Sequence, residues 1–237
     1  MNRIRRKDIK HDEFVDTSFK LLHVIEEHPK TLLSIVAGLL GLVIVVTGVW
    51  SYLEHEKMKA ADAFSRAQAA QMGVIARDGS PNPTAPYRPT FKDAAQRQQV
   101  ALERLGKVAE GSGMAAQLAG YLEGVTLLEA GETDAAVARL EESVATLGED
   151  PTLGGGVKEA FARALEQKGR LERALAIWKE LIAEGSNYPR DLGLLGQARV
   201  ETALGRAETA REAYQEIIDL FPQSPVAAKA REALDKS

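Results

Sequence analysis

Gly205 to Pro222 reads GRAETAREAYQEIIDLFP, and its opening recurs upstream as GRLERALAIW from Gly169 and GETDAAVARL from Gly131. Each copy sets an acidic residue three places after the glycine (Glu208, Glu172, Asp134) and an alanine five places after it (Ala210, Ala174, Ala136). A large apolar residue follows four further on: Tyr214, Trp178 or Leu140. Glycine supplies the turn that closes one helix, the acid favours the positive end of the next, and the alanine lets two helices approach closely. The copies begin 38 and 36 residues apart, a spacing that points to an array of helical hairpins.

The third copy runs through Ile217 and Ile218 to Pro222, which cannot extend a helix. It resembles a tetratricopeptide repeat: Gly205, Ala210, Tyr214 and Pro222 stand at signature places, with Ala198 as the small residue of the preceding helix. Gly124 and Ala162 take that small-residue place in the first and second copies. The terminal proline is missing from those two, and both exceed the usual period of about 34 residues. The glycines of the short run Gly154 to Gly156 read as an inter-repeat loop.

Working toward the N-terminus, Met58–Arg77 and Phe91–Glu110 read as a degenerate leading hairpin. Its two helices are separated by a proline-rich loop over 79–90. Pro225–Leu234 reads as a final helix covering the last apolar face, the cap that a solenoid needs. Apolar residues recur every three or four positions throughout this region, and no convincing strand is visible.

From Thr31 to Leu53 there is no charged residue, and twelve of the residues are Leu, Ile or Val between Leu32 and Val49. That length spans a bilayer, and those twelve contribute roughly -5 kcal/mol to insertion. Trp50 and Tyr52 lie where aromatic rings settle among headgroups, and Pro29 suits a helix start. A cleaved signal peptide has a shorter apolar core with small residues close behind; here Trp50, Tyr52, Leu53 and Glu54 follow, which favours an uncleaved anchor. Residues 1–30 carry seven Lys and Arg against four in 54–83, which places the N-terminus inside, although the nearest fifteen residues on each side give two against three. Ahead of the span, Phe14, Val15, Phe19, Leu22 and Ile25 form an amphipathic stretch, either surface-lying or a solvated tail.

The expected fold is therefore all-α, a single N-terminal transmembrane helix followed by a tetratricopeptide-like α-solenoid. Its parts are a charged tail with an amphipathic helix (1–30), the span (31–53), the leading hairpin (54–113), and three repeats with a capping helix (114–237).

Composition narrows the function. Of the 237 residues 30 are basic and 34 acidic, a net charge of -4 that argues against nucleic acid. Cysteine is absent and the four histidines (His11, His23, His28, His55) all precede the repeats, so neither thiolate nor imidazole chemistry is available there. No phosphate-cradling glycine loop or nucleophile and base pair is present. The expectation is no enzyme, no metal and no cofactor.

A stacked array leaves a concave surface lined by the first helix of each pair, which suits peptides or partner helices. Register puts Tyr121, Val125, Glu159, Arg163, Glu166, Leu195 and Arg199 there as candidate protein-binding residues. A bland alternative holds for Glu159 and Arg163, which four apart make an ordinary helix-surface pair. Trp178 and Tyr214 occupy packing positions of the repeat rather than recognition positions.

The order of parts, with Phe14, Phe19, Trp50, Tyr52 and the repeat residues, resembles the YfgM-like family of ancillary Sec translocon subunits. That resemblance implies a cytoplasmic tail, a single-pass inner-membrane anchor and repeats in the periplasm, where they contact translocon subunits, chaperones and newly exported chains. The competing expectation is an envelope or cell-division scaffold that self-associates as a homo-oligomer.

Overall fold

The computed structural model describes residues 29–76, 88–183 and 186–236; the amphipathic stretch of the tail and most of the 79–90 loop lie outside them. The chain divides into two units, Met1–Met58 and Lys59–Ser237.

Helix α1 runs from Pro29 to Gln71. It is the one described helix long and apolar enough to cross a membrane. Leu39, Ile44, Val46, Trp50 and Leu53 are all more than half exposed, whereas Ala67 and Ala70 near the C-terminal end of the helix are buried. Thr47, one of the hydroxyl residues within it, donates its hydroxyl to the Val43 carbonyl at 2.7 Å, a local bond that satisfies the group within the helix. No separate helix begins at Met58: between Leu53 and Gln71 the sequence offers no glycine or proline to interrupt α1.

Past Gln71 the chain forms two very short strands, β1 (Val74–Ile75) and β2 (Thr90–Phe91), paired in parallel with Val74 opposite Thr90. This differs from the strand-free expectation, because two residues are too few to show the alternation by which a strand is recognised. The pairing seats Phe91 against Ala70 and Ala101, and Gly73 is required beneath it: a Cβ there would stand 2.2 Å from the Phe91 ring. Helix α2 then spans Ala94–Ala109 rather than starting at Phe91. Asp93 accepts from the Gln96 amide at 2.7 Å while the Gln96 side chain accepts from the Lys92 amide at 2.9 Å, a reciprocal cap.

The hairpins follow as α3 (Met114–Glu129) with α4 (Thr133–Leu147), α5 (Gly154–Gln167) with α6 (Leu171–Ile182), and α7 (Arg190–Ala203) with α8 (Ala207–Leu220). Helix α9 (Pro225–Lys236) closes the array. From α2 onward each helix packs on its neighbours in sequence, which makes the region a helical solenoid. The three motif glycines turn the chain inside each hairpin with φ of 82°, 76° and 74° at Gly131, Gly169 and Gly205. In each case the two amides after the first helix bond back to its last turn, as when Gly131 donates to the Leu128 carbonyl and Glu132 to that of Leu127.

The motif alanines are buried, and one core joins Leu140 of α4, Phe161 and Leu165 of α5, Trp178 of α6 and Val200 of α7 across three hairpins. Burying a side chain such as Leu165 contributes about 1.5–3 kcal/mol. A second cluster of Leu194, Ile217, Val226, Ala227 and Ala230 sets α9 over the end of the array.

Gly154 to Gly156 form the first turn of α5, which corrects the loop expectation. Asp150 turns the chain into that helix by accepting from the Thr152 and Leu153 amides at 2.8 and 2.9 Å. The glycines are needed for closeness rather than for looseness. A Cβ on Gly154 would lie 2.3 Å from the Gly148 carbonyl oxygen, and one on Gly155 would press on the Tyr188 ring.

Candidate protein-binding groove

Three first helices, α3, α5 and α7, supply one open cleft of about 640 Å³. Its α3 side carries Tyr121, Val125, Leu128 and Glu129, spaced four, three and one residues apart, so they follow one face of the helix. Across from them α5 presents Gly156, Glu159, Ala160, Arg163, Glu166 and Gln167, and α7 contributes Arg199. Gly156 faces the Tyr121 hydroxyl, which would stand in ordinary contact, 3.9 Å, with a Cβ there.

The floor is a three-helix network. Arg199 Nε and Nη2 donate to Glu166 Oε2 and Oε1 at 2.7 and 2.8 Å, while Trp178 Nε1 donates to Glu166 Oε1 at 2.7 Å. The Arg199 guanidinium also lies 5.6 Å from the centre of the Trp178 ring, within reach of a cation–π attraction. Glu166 therefore satisfies the indole of a residue that is only 2% exposed and fixes the arginine beside it. The hydrogen bonds to Glu166 hold the Arg199 guanidinium even more firmly protonated than usual, against the opposing effect of burial.

The rim is looser. Arg163 Nη1 stands 3.9 Å from Glu159 Oε1, and the arginine side chain keeps 61% of its surface exposed. This is the surface pair that the four-residue spacing suggests. The Tyr188 hydroxyl has its pKa pushed up by burial first and by the nearby Glu159 charge second. Tyr121 is raised for the same two reasons.

Of the seven residues that register singled out, six line this cleft: Tyr121, Val125, Glu159, Arg163, Glu166 and Arg199. Leu195 lies elsewhere, packed against the cluster of Leu194, Ile217 and Val226 beneath α9. Leu128, Glu129, Gly156, Ala160 and Gln167 were missed, though continuing the same helical faces by one turn reaches each of them. Trp178 is a packing residue by burial, as its repeat position suggests, yet its indole nitrogen also orders the floor.

A family model described as the tetratricopeptide repeat matches residues 193–224, which take in most of α7 and all of α8. That match supports a tetratricopeptide repeat protein. No curated protein matches the chain. Tetratricopeptide repeats suggest a protein–protein interaction module, and such proteins are generally not enzymes.

Proposed function

We propose that the chain is a membrane-anchored adaptor whose groove holds a segment of another protein at the membrane surface. Residues 31–53 anchor it in a bacterial inner membrane, with the N-terminus cytoplasmic and the repeats periplasmic. The partners are translocon subunits, periplasmic chaperones or exported chains, in line with the resemblance to YfgM-like subunits. The observation that carries the binding reading is the convergence of Tyr121, Val125, Glu159, Arg163 and Arg199 from three hairpins on one concave cleft with an apolar and a charged side. Such a surface fits an amphipathic segment better than a small metabolite. Tethering keeps the groove at high local concentration near its ligand, so a modest affinity suffices.

The test is in vivo crosslinking followed by purification of the full chain in mild detergent. Recovery of channel subunits and chaperones is the expected result. Recovery of the chain alone, or of division and envelope proteins, would overturn the translocon assignment in favour of a scaffold.

A further inference from the structure

We infer that the groove selects a basic amphipathic segment, with aliphatic side chains against α3 and Lys or Arg residues trailing past the C-terminal ends of α3 and α5. This rests on the groove reading above and adds the charge and direction of what fills the cleft. Tyr121, Val125 and Leu128 are partly buried on the central core and show their remaining surface to the cleft, an apolar wall at i, i+4 and i+7. From Tyr121 to Glu129 the wall runs about 12 Å, the length of eight residues of helix.

The cleft does not end at Gln167, which also lines a second opening of about 490 Å³ around the turn between α3 and α4, with Glu132, Thr133, Asp134 and Lys168. The two linings carry five carboxylates and three cations. Each cation already has a carboxylate: Arg199 has Glu166 at 2.7 Å, Lys168 has Asp134 at 2.5 Å, and Arg163 has Glu159 at 3.9 Å. Arg170, outside both linings, acts on Asp134 and Glu141. Glu129 and Glu132 are left, both exposed and neither in an ion pair among the described residues.

The backbone acts in the same direction. Helix α3 ends at Glu129 and α5 at Gln167, so two helix C-termini, the negative ends of their dipoles, stand at the side of the groove where these carboxylates lie. Residues 114–237 hold 14 Lys and Arg against 21 Asp and Glu, so a positively charged segment is also drawn in from a distance. An acidic segment would meet two unpaired carboxylates there and no cation without its own carboxylate in either lining. Arg163, mostly exposed between Glu159 and Glu166 on α5, serves instead as a donor to carbonyls of the bound chain.

The experiment is fluorescence anisotropy with the full chain in an uncharged detergent, corrected for binding to empty micelles. The probes are two labelled peptides of about 14 residues, two to three turns longer than the wall, that share one amphipathic pattern: leucine with lysine, and leucine with glutamate. The lysine peptide should bind at least about tenfold more tightly, and higher salt should shrink that difference. Glu129→Gln combined with Glu132→Gln should weaken the lysine peptide about fivefold, the effect of two exposed charge pairs, with helicity unchanged. A glutamate peptide that binds as tightly as the lysine peptide would overturn the inference and make Arg163 the reader of charge. A lysine peptide indifferent to the two Gln substitutions would also overturn it, reporting only the general negative charge of the repeats. Binding of both peptides no better than to empty micelles, or unchanged by Val125→Asp and by the milder Val125→Ala, would overturn the groove reading itself, which separates the two claims.

Discussion

At the floor of the groove Arg199 is held by two hydrogen bonds to Glu166 and lies over Trp178, whereas at the rim Arg163 reaches Glu159 only at 3.9 Å. Both are Arg–Glu pairs on first helices of the repeats. The floor pair joins residues 33 apart in sequence and, through Trp178, fixes α5, α6 and α7 to one another. The rim pair lies within one helix and fixes nothing beyond it. The same residue types thus tie three helices together in one place and stay largely exposed in the other.

The sharpest way to break that contrast is Trp178→Ala. It removes the largest side chain of the central core and leaves Glu166 with one partner fewer, so thermal or denaturant unfolding should show a loss of about 3–5 kcal/mol. A loss under 1 kcal/mol would mean that the hairpins do not depend on this contact. Gly196→Ala comes next, because its Cβ would sit 2.3 Å from the Trp178 ring; crowding of this kind costs about 1–3 kcal/mol.

Glu166→Ala should cost about 1–3 kcal/mol, since the buried indole N–H loses its acceptor. Glu166→Gln, which keeps an oxygen for Trp178, should recover part of it. Arg163→Glu should change stability by no more than about 0.5 kcal/mol and yet reduce partner recovery. Unchanged recovery with the fold intact would remove Arg163 from the groove's contacts.

The smallest expected effect is in alkali. Tyr121 and Tyr188 both have raised folded-state pKa values, from burial and then from Glu159. Their contribution is therefore complete below the ordinary tyrosine value near 10 and falls as pH rises toward the folded values. Replacing both by Phe should flatten that alkaline decline in a urea midpoint series. An unchanged decline would show that other groups cause it.

Much of the solenoid was legible because Gly131, Gly169 and Gly205 recur in phase with Ala136, Ala174 and Ala210, and each of these roles is local. A positive φ and a small buried side chain depend on a few neighbouring residues. The cleft was largely legible for a related reason: helical faces follow from spacing, so Tyr121 and Val125 could be placed together with Glu159 and Arg163. Leu195 was assigned to the groove by register, but it packs against the cluster beneath α9, a packing fact that no spacing within α7 records. The Glu166–Trp178–Arg199 network escaped because its members lie on three helices. Gly154 to Gly156 misled because glycine usually marks a loop, whereas here the absence of a side chain lets α5 approach Gly148 and Tyr188.

The most direct test of the central claim is site-specific photo-crosslinking in cells. A benzophenone amino acid would replace Val125 in the groove or, as a control, the exposed Glu212 on α8. The groove reading predicts adducts with translocon subunits, chaperones or exported chains from position 125 and none of them from position 212. Equal adducts from both positions, or adducts from position 125 with the chain itself alone, would contradict it.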